Sequence, residues 1–260
     1  MSARQSTHNE ILRARENNKS WFKRHAIAAG LRAGANFAHS NFANTDLSRV
    51  NLRGANLEYA KFCDANLTYA DMRNVYLELA DFEHADLSHS DFREAFMAGD
   101  AFALGTTFRK AQCYRADFSN SNLNLTVFEG ALLRRTQFVN ATLIYSGFSG
   151  ADRSSADFTG ADLRRAHFID AELICAKFNS GNLHKAILTD AEASGADFTG
   201  ADLTDVIAKG AMLNAAKFSN ANLTNADLRG CDLEFAVLDG AVLDGTRFAG
   251  AIMPNGRVVA

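Results

Sequence analysis

The sequence has almost no proline, since Pro254 is the single one in 260 residues. Proline lacks a backbone N–H, so its near absence is typical of a chain in which almost every N–H group is hydrogen-bonded. The sequence also lacks an apolar run of transmembrane length and a signal-peptide core near its start. We therefore expect a cytoplasmic protein with no membrane partner.

Motifs for catalysis and for metal binding are missing too. The seven histidines are scattered, and no nucleophile–base pair, phosphate-binding glycine loop or His-Glu-x-x-His motif occurs. The four cysteines, Cys63, Cys113, Cys175 and Cys231, do not have metal-ligand spacing. We expect Cys113 and Cys231 to be buried as small hydrophobic residues. The sequence thus predicts no catalytic residue, no cofactor and no metal site, in a protein that is not an enzyme.

The dominant feature is a five-residue repeat. Each unit has a small residue, then Asp or Asn, then a central Leu or Phe, then two variable residues, as in Ala55-Asn56-Leu57 and Ala161-Asp162-Leu163. The central residues recur without interruption from Phe37 to Phe102 and, after one skipped residue, from Phe108 to Met253, which makes 44 pentapeptides. A repeat of this length determines the whole fold.

A second period of 20 residues indicates that four pentapeptides form one coil. In extended backbone the central residue and the small residue two positions before it point to the same side, so both are expected to face inward. Like residues then stack on one another, in columns such as Phe118, Phe138, Phe158, Phe178, Phe198, Phe218 and Leu123, Leu143, Leu163, Leu183, Leu203, Leu223, Leu243. Eleven coils at the inter-strand distance of about 4.8 Å give a rod of roughly 50 Å.

The skipped residue near 103–107 predicts a bulge or slight kink. With a one-residue skip, the column Phe42, Phe62, Phe82, Phe102 continues into the all-leucine column, so the sequence predicts a change of core packing there. The Asp and Asn residues before the centres are interpreted as turn-capping residues, because their side chains bond neighbouring backbone.

This pattern resembles the pentapeptide-repeat family over about 220 of the 260 residues. The resemblance implies an all-β fold, a right-handed quadrilateral β-helix of about 11 coils. Thr7-x-x-Glu10 is a capping-box pattern ahead of several apolar residues, which predicts a short α-helical cap over the first coil. The predicted organisation is a helical cap over 1–34, a solenoid over 35–255 and a tail over 256–260.

Departures from the repeat on the outer faces indicate where a partner binds. Tyr76 and Phe96 stand where Asp or Asn is the rule, and exposed aromatic clusters often mark partner surfaces. The predicted partner-binding surface comprises Glu58, Tyr59, Tyr76, Glu78, Leu79 and Phe96. Alternatively, the N-terminal helix covers these aromatics through Trp21 and Phe22.

A second group is a predicted basic ladder on one face, formed by Arg53, Arg73, Arg93, Arg115, Arg134 and Arg135. It either contacts an acidic partner or pairs from coil to coil with Asp71 and Asp91, which would contribute little stability. Arg153 replaces a central leucine on the same side. Because an unpaired buried guanidinium is costly, we expect Arg153 to turn out to solvent or to meet a carboxylate.

The C-terminal coil needs a cover for its apolar end. The residues involved are Phe248, Met253, Val258 and Val259. Either the last valines fold back over the coil, or two rods meet end to end, and symmetric pairing is the common way to close such a surface. The sequence favours a homodimer through this end.

The resemblance extends to two branches of the family. Glu10-Ile11-Leu12-Arg13 and the ending 251–256 are similar to the termini of regulatory members from cyanobacteria, which implies a non-enzymatic protein that binds another protein. The alternative is a DNA mimic that binds DNA gyrase and confers quinolone resistance, as acidic members of similar fold do. Residues 35–260 carry a net charge of −8, but residues 106–177 have nine basic and seven acidic residues. We therefore predict a protein-binding regulator or scaffold with no direct nucleic-acid binding.

Overall fold

The structure is a computed structural model that describes residues 33–98 and 105–260. Within these ranges the chain winds into four-sided coils whose strands are single parallel β-bridges, as between Asn36 and Asn56. Bridged residues are 20 positions apart, except at one break and at the C-terminal tail. The described ranges contain no helix, and the predicted cap over 1–34 lies almost wholly outside them.

In a regular pentapeptide, each of the five backbone N–H groups has a hydrogen-bond acceptor. Four of them donate to backbone carbonyls, three in adjacent coils and one across the turn. The fifth belongs to the residue after the centre and donates to the side chain of the Asp or Asn before the centre, as from Ala38 to Asn36 Oδ1 at 3.0 Å. Buried N–H groups need such partners, which explains the repeat and the lack of proline. Pro254 occupies the position after the centre, where the N–H does not donate to a backbone carbonyl, so proline breaks no backbone hydrogen bond there.

Corners separate the four faces, and the corner residue, two after each centre, has left-handed φ near +60°. Asn, Asp and Gly tolerate this conformation, which explains their frequency there. We number the faces by their centres: face 1 has Phe37, Leu57, Leu77, Met97, Leu123 and on to Leu243; face 2 has Phe42, Phe62, Phe82, Phe108 and on to Phe248; face 3 has Leu47, Leu67, Leu87, Cys113 and on to Met253; face 4 has Leu52, Met72, Phe92, Phe118 and on to Leu238.

Two phenylalanine columns on opposite faces meet in the core. On face 4 the predicted column from Phe118 to Phe218 is confirmed, with rings stacked at 4.9 to 5.3 Å. Rings of face 2 meet rings of face 4 edge to face, as Phe138 meets Phe148 at 6.0 Å and 88°. Both arrangements are favourable for aromatic rings. The centres of the middle coils are fully buried, so the interior is packed without a lumen.

The break keeps the face 2 column intact, and the predicted change of core packing is wrong. Phe82 stacks directly on Phe108 at 4.9 Å and 6°. These two residues are 26 positions apart, so the chain between them has six residues more than a regular coil. Ring-on-ring stacking preserves the dense core, whereas lengthening a loop costs little free energy. The chain rejoins the coil at Gly105, where an added Cβ would lie 2.9 Å from the Leu125 carbonyl oxygen.

Arg153 is fully buried at a face 3 centre, and both predictions for it are wrong. Its guanidinium lies between the rings of Phe148 and Phe168, at 4.4 and 4.8 Å from their centroids. Its Nη2 donates to the Phe148 carbonyl. Within the described ranges, Nε and Nη1 have no hydrogen-bond partner, and burial lowers the pKa of Arg153 well below its usual value. The flanking coils hold the side chain inside despite this cost.

The C-terminal tail folds back on the last coil. Ile252 and Val258 form an antiparallel bridge, and Val259 donates its N–H to Ala251 at 2.9 Å. The tail therefore takes the first of the two arrangements that the sequence left open. Phe248 and Met253 remain only partly buried, and Val258 is 66% exposed. Dimerisation through this end stays a prediction.

Candidate partner-binding surface

Face 1 gathers all six residues of the predicted partner-binding surface. Tyr76 and Phe96 occupy the same column in consecutive coils, and their rings stack at 5.3 Å. The rings are 49% and 50% exposed. Along the adjoining corner, Tyr59 stacks on His39 at 4.7 Å and is itself 45% exposed. Two stacked aromatic pairs therefore lie on one flat face, which we call the aromatic surface.

The aromatic surface departs from the repeat at a position with a structural duty. Elsewhere in this column Asn56 caps the turn by accepting from the Glu58 N–H at 3.0 Å. Tyr76 and Phe96 have no side-chain oxygen placed to do the same, so they give up a cap. Each also exposes a ring to water, which is unfavourable for a free surface. Neither feature helps the fold of the isolated chain, which is why the surface is a candidate site.

Two carboxylates border the rings. Glu58 and Glu78 occupy the column beside Tyr76, on the same outer face. Within residues 33–98 and 105–260 neither carboxylate forms an ion pair, although Asn56 Nδ2 donates to Glu58 at 3.4 Å. The aromatic surface can therefore accept an apolar group together with one or two cations.

The predicted basic ladder divides between two faces. Arg53, Arg73 and Arg93 lie on face 4, and their column continues with Ser119. The predicted coil-to-coil pairing is confirmed here: Arg73 contacts Asp71 at 2.6 Å and Asp91 at 3.4 Å. The hydrogen bond from Arg73 lowers the pKa of Asp71. Arg73 and Arg93 therefore stabilise the rod itself, since Arg93 pairs with Asp91 and Asp117 in the same way.

Arg115, Arg134 and Arg135 lie on face 3, so placing them on one face with Arg73 was wrong. The error follows from the break, because a skip of six residues moves every later residue to a different face than a skip of one. On face 3 these arginines lie beside the exposed residues Tyr114 and Leu132 in the sequence, and these two were not predicted as site residues. Since all five residues follow the break, the 20-residue period of the sequence was enough to reveal this grouping.

Asp227 on face 2 is a buried carboxylate surrounded by cations. Arg229 donates to it at 2.7 and 2.8 Å and Arg247 at 2.9 Å, and Lys209 lies 3.8 Å away. Its side chain is 4% exposed. The hydrogen bond from Arg229 is the main reason that the pKa of Asp227 falls from 3.8 to about 2.

Asp227→Asn is expected to lower the free energy of unfolding by about 1–2 kcal/mol near neutral pH, since the partner cations are exposed. A carboxylate with a lowered pKa stabilises the fold above its unfolded pKa of 3.8, and this contribution disappears as pH falls toward about 2. Urea unfolding of both proteins between pH 7 and pH 2 measures the difference. Asp239→Asn, at an exposed position, is the control. A difference that stays constant with pH contradicts this assignment.

The described residues show little that suggests metal or thiol chemistry. Within them, no group of three or more His, Cys, Asp or Glu side chains is arranged to hold a metal ion. Cys113 and Cys231 are buried, as predicted. Burial and a hydrogen bond to Asp81 raise the pKa of Cys63 to about 11, which disfavours the reactive thiolate. A membrane-spanning helix is absent from residues 33–98 and 105–260.

Comparison with protein families identifies the repeat. The family described as pentapeptide repeats matches the chain in eight copies, and the matched stretches are residues 33–68, 64–99, 121–152, 154–190, 188–220 and 216–254. No curated protein sequence matches the chain.

Several solved structures are similar to this chain. HetL, a pentapeptide repeat protein involved in heterocyst differentiation regulation in the cyanobacterium Nostoc, is 28% identical, with 90% of this chain and 97% of HetL covered and a TM-score of 0.35. A trypsin-treated form of QnrB1, a plasmid-mediated fluoroquinolone resistance protein, is 21% identical, with 80% and 89% covered and a TM-score of 0.42. A pentapeptide repeat protein of the Arabidopsis thaliana thylakoid lumen is 25% identical, with 50% and 68% covered and a TM-score of 0.20.

Proposed function

We propose, from the premise that this chain belongs to the pentapeptide-repeat family of right-handed β-helices, that it is a non-enzymatic regulator or scaffold that binds another protein. The binding site is the aromatic surface on face 1. The observation that carries the proposal is the exposed stack of Tyr76 on Phe96, in a column where the repeat requires a turn-capping Asn or Asp.

The aromatic surface has the composition of a binding site for a protein. Half-exposed rings can bury additional apolar area on association, at about 25 cal/mol per Å² before the costs of binding are counted. Stacking fixes both rings, so little side-chain entropy is lost when a partner covers them. Glu58 and Glu78 add negative charge beside the rings. The partner that fits presents an apolar or aromatic side chain flanked by lysine or arginine.

Replacing both rings with asparagine tests the proposal. Tyr76→Asn with Phe96→Asn restores the cap that Asn56 and Asn122 supply in the same column, so the fold should keep its melting temperature or gain slightly. Loss of a central aromatic pair should weaken partner binding by at least tenfold, or about 1.4 kcal/mol. Melting curves and the affinity for the captured partner measure the two effects.

Met212→Asn is the matched control, because Met212 is a 45% exposed apolar residue at the same repeat position on face 3. It should bind the partner like the wild type. If the double variant instead melts far below the wild type, the rings are covered within this chain, as the alternative with Trp21 and Phe22 predicts. That result would exclude the partner-binding role.

A second candidate function is mimicry of duplex DNA toward DNA gyrase. The excess of eleven acidic over five basic residues in 35–105 favours it. The pairing of Asp71 and Asp91 with arginines and the basic residues of 106–177 disfavour it, because mimicry requires a long unpaired acidic face. A gyrase supercoiling assay with purified protein separates the two functions, since only a mimic inhibits the enzyme in a manner that added salt weakens.

A further inference from the structure

Face 3 carries a second surface of different chemistry, which does not depend on the aromatic surface. We call it the basic surface, and it consists of Lys110, Tyr114, Arg115, Leu132, Arg134 and Arg135. The bridge between Gln112 and Leu132 places these two coils side by side. All six residues follow the break, so the 20-residue period alone groups them, and the break determines that the coil of Leu87 lies against them.

The cations of the basic surface largely lack close carboxylate partners within the described chain. Arg115 and Arg135 occupy consecutive positions of one corner, about 4.8 Å apart along the rod. Across the whole described chain, neither they nor Lys110 take part in an ion pair. Arg134 is 65% exposed and reaches Asp152 only at 3.7 Å. This contrasts with face 4, where Arg73 and Arg93 are held by close carboxylates.

Apolar side chains lie between these cations. Leu132 is 48% exposed and Tyr114 is 37% exposed. The Arg115 guanidinium lies over the Tyr114 ring, 5.2 Å from its centroid. The His89 ring contacts the Tyr114 ring edge to face, with the centroids 5.5 Å apart. These contacts hold Tyr114 and Arg115 in place before any ligand arrives. Lys110 lies at the opposite corner of the face, five residues before Arg115 in the sequence. Five extended residues span at most about 17 Å, which is the upper limit for the distance between the two Cα atoms.

We propose that the basic surface binds an extended acidic segment of a partner protein, with an apolar residue flanked on both sides by carboxylates. The apolar side chain covers Leu132 and Tyr114. One carboxylate lies near Arg115 and Arg135, and the other lies near Lys110. Acidic residues about four positions apart in an extended strand are separated by about 13 Å, which is within the upper limit of about 17 Å for the spacing of Lys110 and Arg115. Charge complementarity selects the segment, and the apolar contact adds affinity.

Nucleic acid fits this surface less well. Single strands bind where aromatic ring faces are open for stacking bases, but one face of Tyr114 is occupied by Arg115. Asp86 and Asp152 lie on the same face, in the coils below and above, and would repel a phosphate backbone running along the rod. An acidic peptide that crosses the face between them avoids both.

Fluorescence anisotropy with the full chain tests the proposal. The probe is a labelled 12-residue peptide with a central leucine and a glutamate two residues away on each side. The protein should bind it saturably, and binding should weaken as salt rises. Arg115→Ala with Arg135→Ala should reduce the affinity at least tenfold. Both side chains are exposed, so the variant should fold, and its melting curve checks this.

Three comparisons make the result decisive. Arg73→Ala removes an arginine that is already paired on face 4 and should leave peptide affinity unchanged. A peptide with glutamine in place of glutamate should bind at least tenfold more weakly. The proposal is overturned if the acidic peptide fails to bind at about 1 mM, a free energy of about −4 kcal/mol. It is also overturned if the double variant binds equally, or if an oligothymidylate binds more tightly than the peptide through the same arginines.

Discussion

Arg153→Leu is expected to raise the free energy of unfolding by about 1–4 kcal/mol, the gain seen when buried charges are replaced by apolar residues of similar size. The guanidinium is fully buried, and two of its nitrogens lack partners in the described chain. Leucine occupies the same centre in the coils below and above, as Leu133 and Leu173, so the new side chain suits the column.

Urea unfolding followed by circular dichroism measures this gain. Because each kcal/mol shifts the melting temperature by ~2–4 °C in a protein of this size, thermal melts should detect it too. Arg134→Leu, an exposed position on the same face, is the control and should change stability little. A marked loss of stability in Arg153→Leu would contradict this account, in which Nε and Nη1 of the guanidinium have no hydrogen-bond partner in the described chain.

Phe138→Ala is expected to lower the free energy of unfolding by about 3–5 kcal/mol. Its ring stacks on Phe118 at 5.3 Å and on Phe158 at 4.9 Å, and it meets Phe128 edge to face at 5.5 Å. Removing it leaves a cavity that stiff neighbouring coils cannot fill. Since each coil contacts only its neighbours, the loss weakens the rod in its middle.

Thr189→Ala is the matched control for Phe138→Ala, because Thr189 lies on the outer side of face 2. Its removal should shift stability by less than about 0.5 kcal/mol. Equal melting temperatures for the two variants would contradict the assignment of inward and outward positions.

Features that repeat could be predicted from the sequence, because each position has one physical role. The five-residue and 20-residue periods were enough to place Phe118 and Phe218 in one column and Tyr76 beside Phe96 on one outer face. Both groups lie on one side of the break, so counting by fives stays in register. The Asp and Asn turn caps were likewise predictable from their position before each centre.

Features that occur once in the chain could not be predicted from the five-residue and 20-residue periods. The sequence around 99–104 is compatible with a skip of one residue or six, and only stacking of Phe82 on Phe108 decides between them. The contact between His89 and Tyr114, which lie on opposite sides of the break, depends on that choice. The prediction for Arg153 failed for a different reason. The free-energy cost of burying an unpaired guanidinium favours exposure, but the neighbouring coils fix the backbone, and the rings of Phe148 and Phe168 enclose the side chain.

Affinity capture from the source cell, quantified for three proteins in parallel, tests the central claim most directly. The wild type and Met212→Asn should retain the same partner protein, while the double variant of Tyr76 and Phe96 loses it with an unchanged melting temperature. If all three proteins retain the same set of proteins in equal amounts, the aromatic surface on face 1 is not the binding site and the proposed function is wrong.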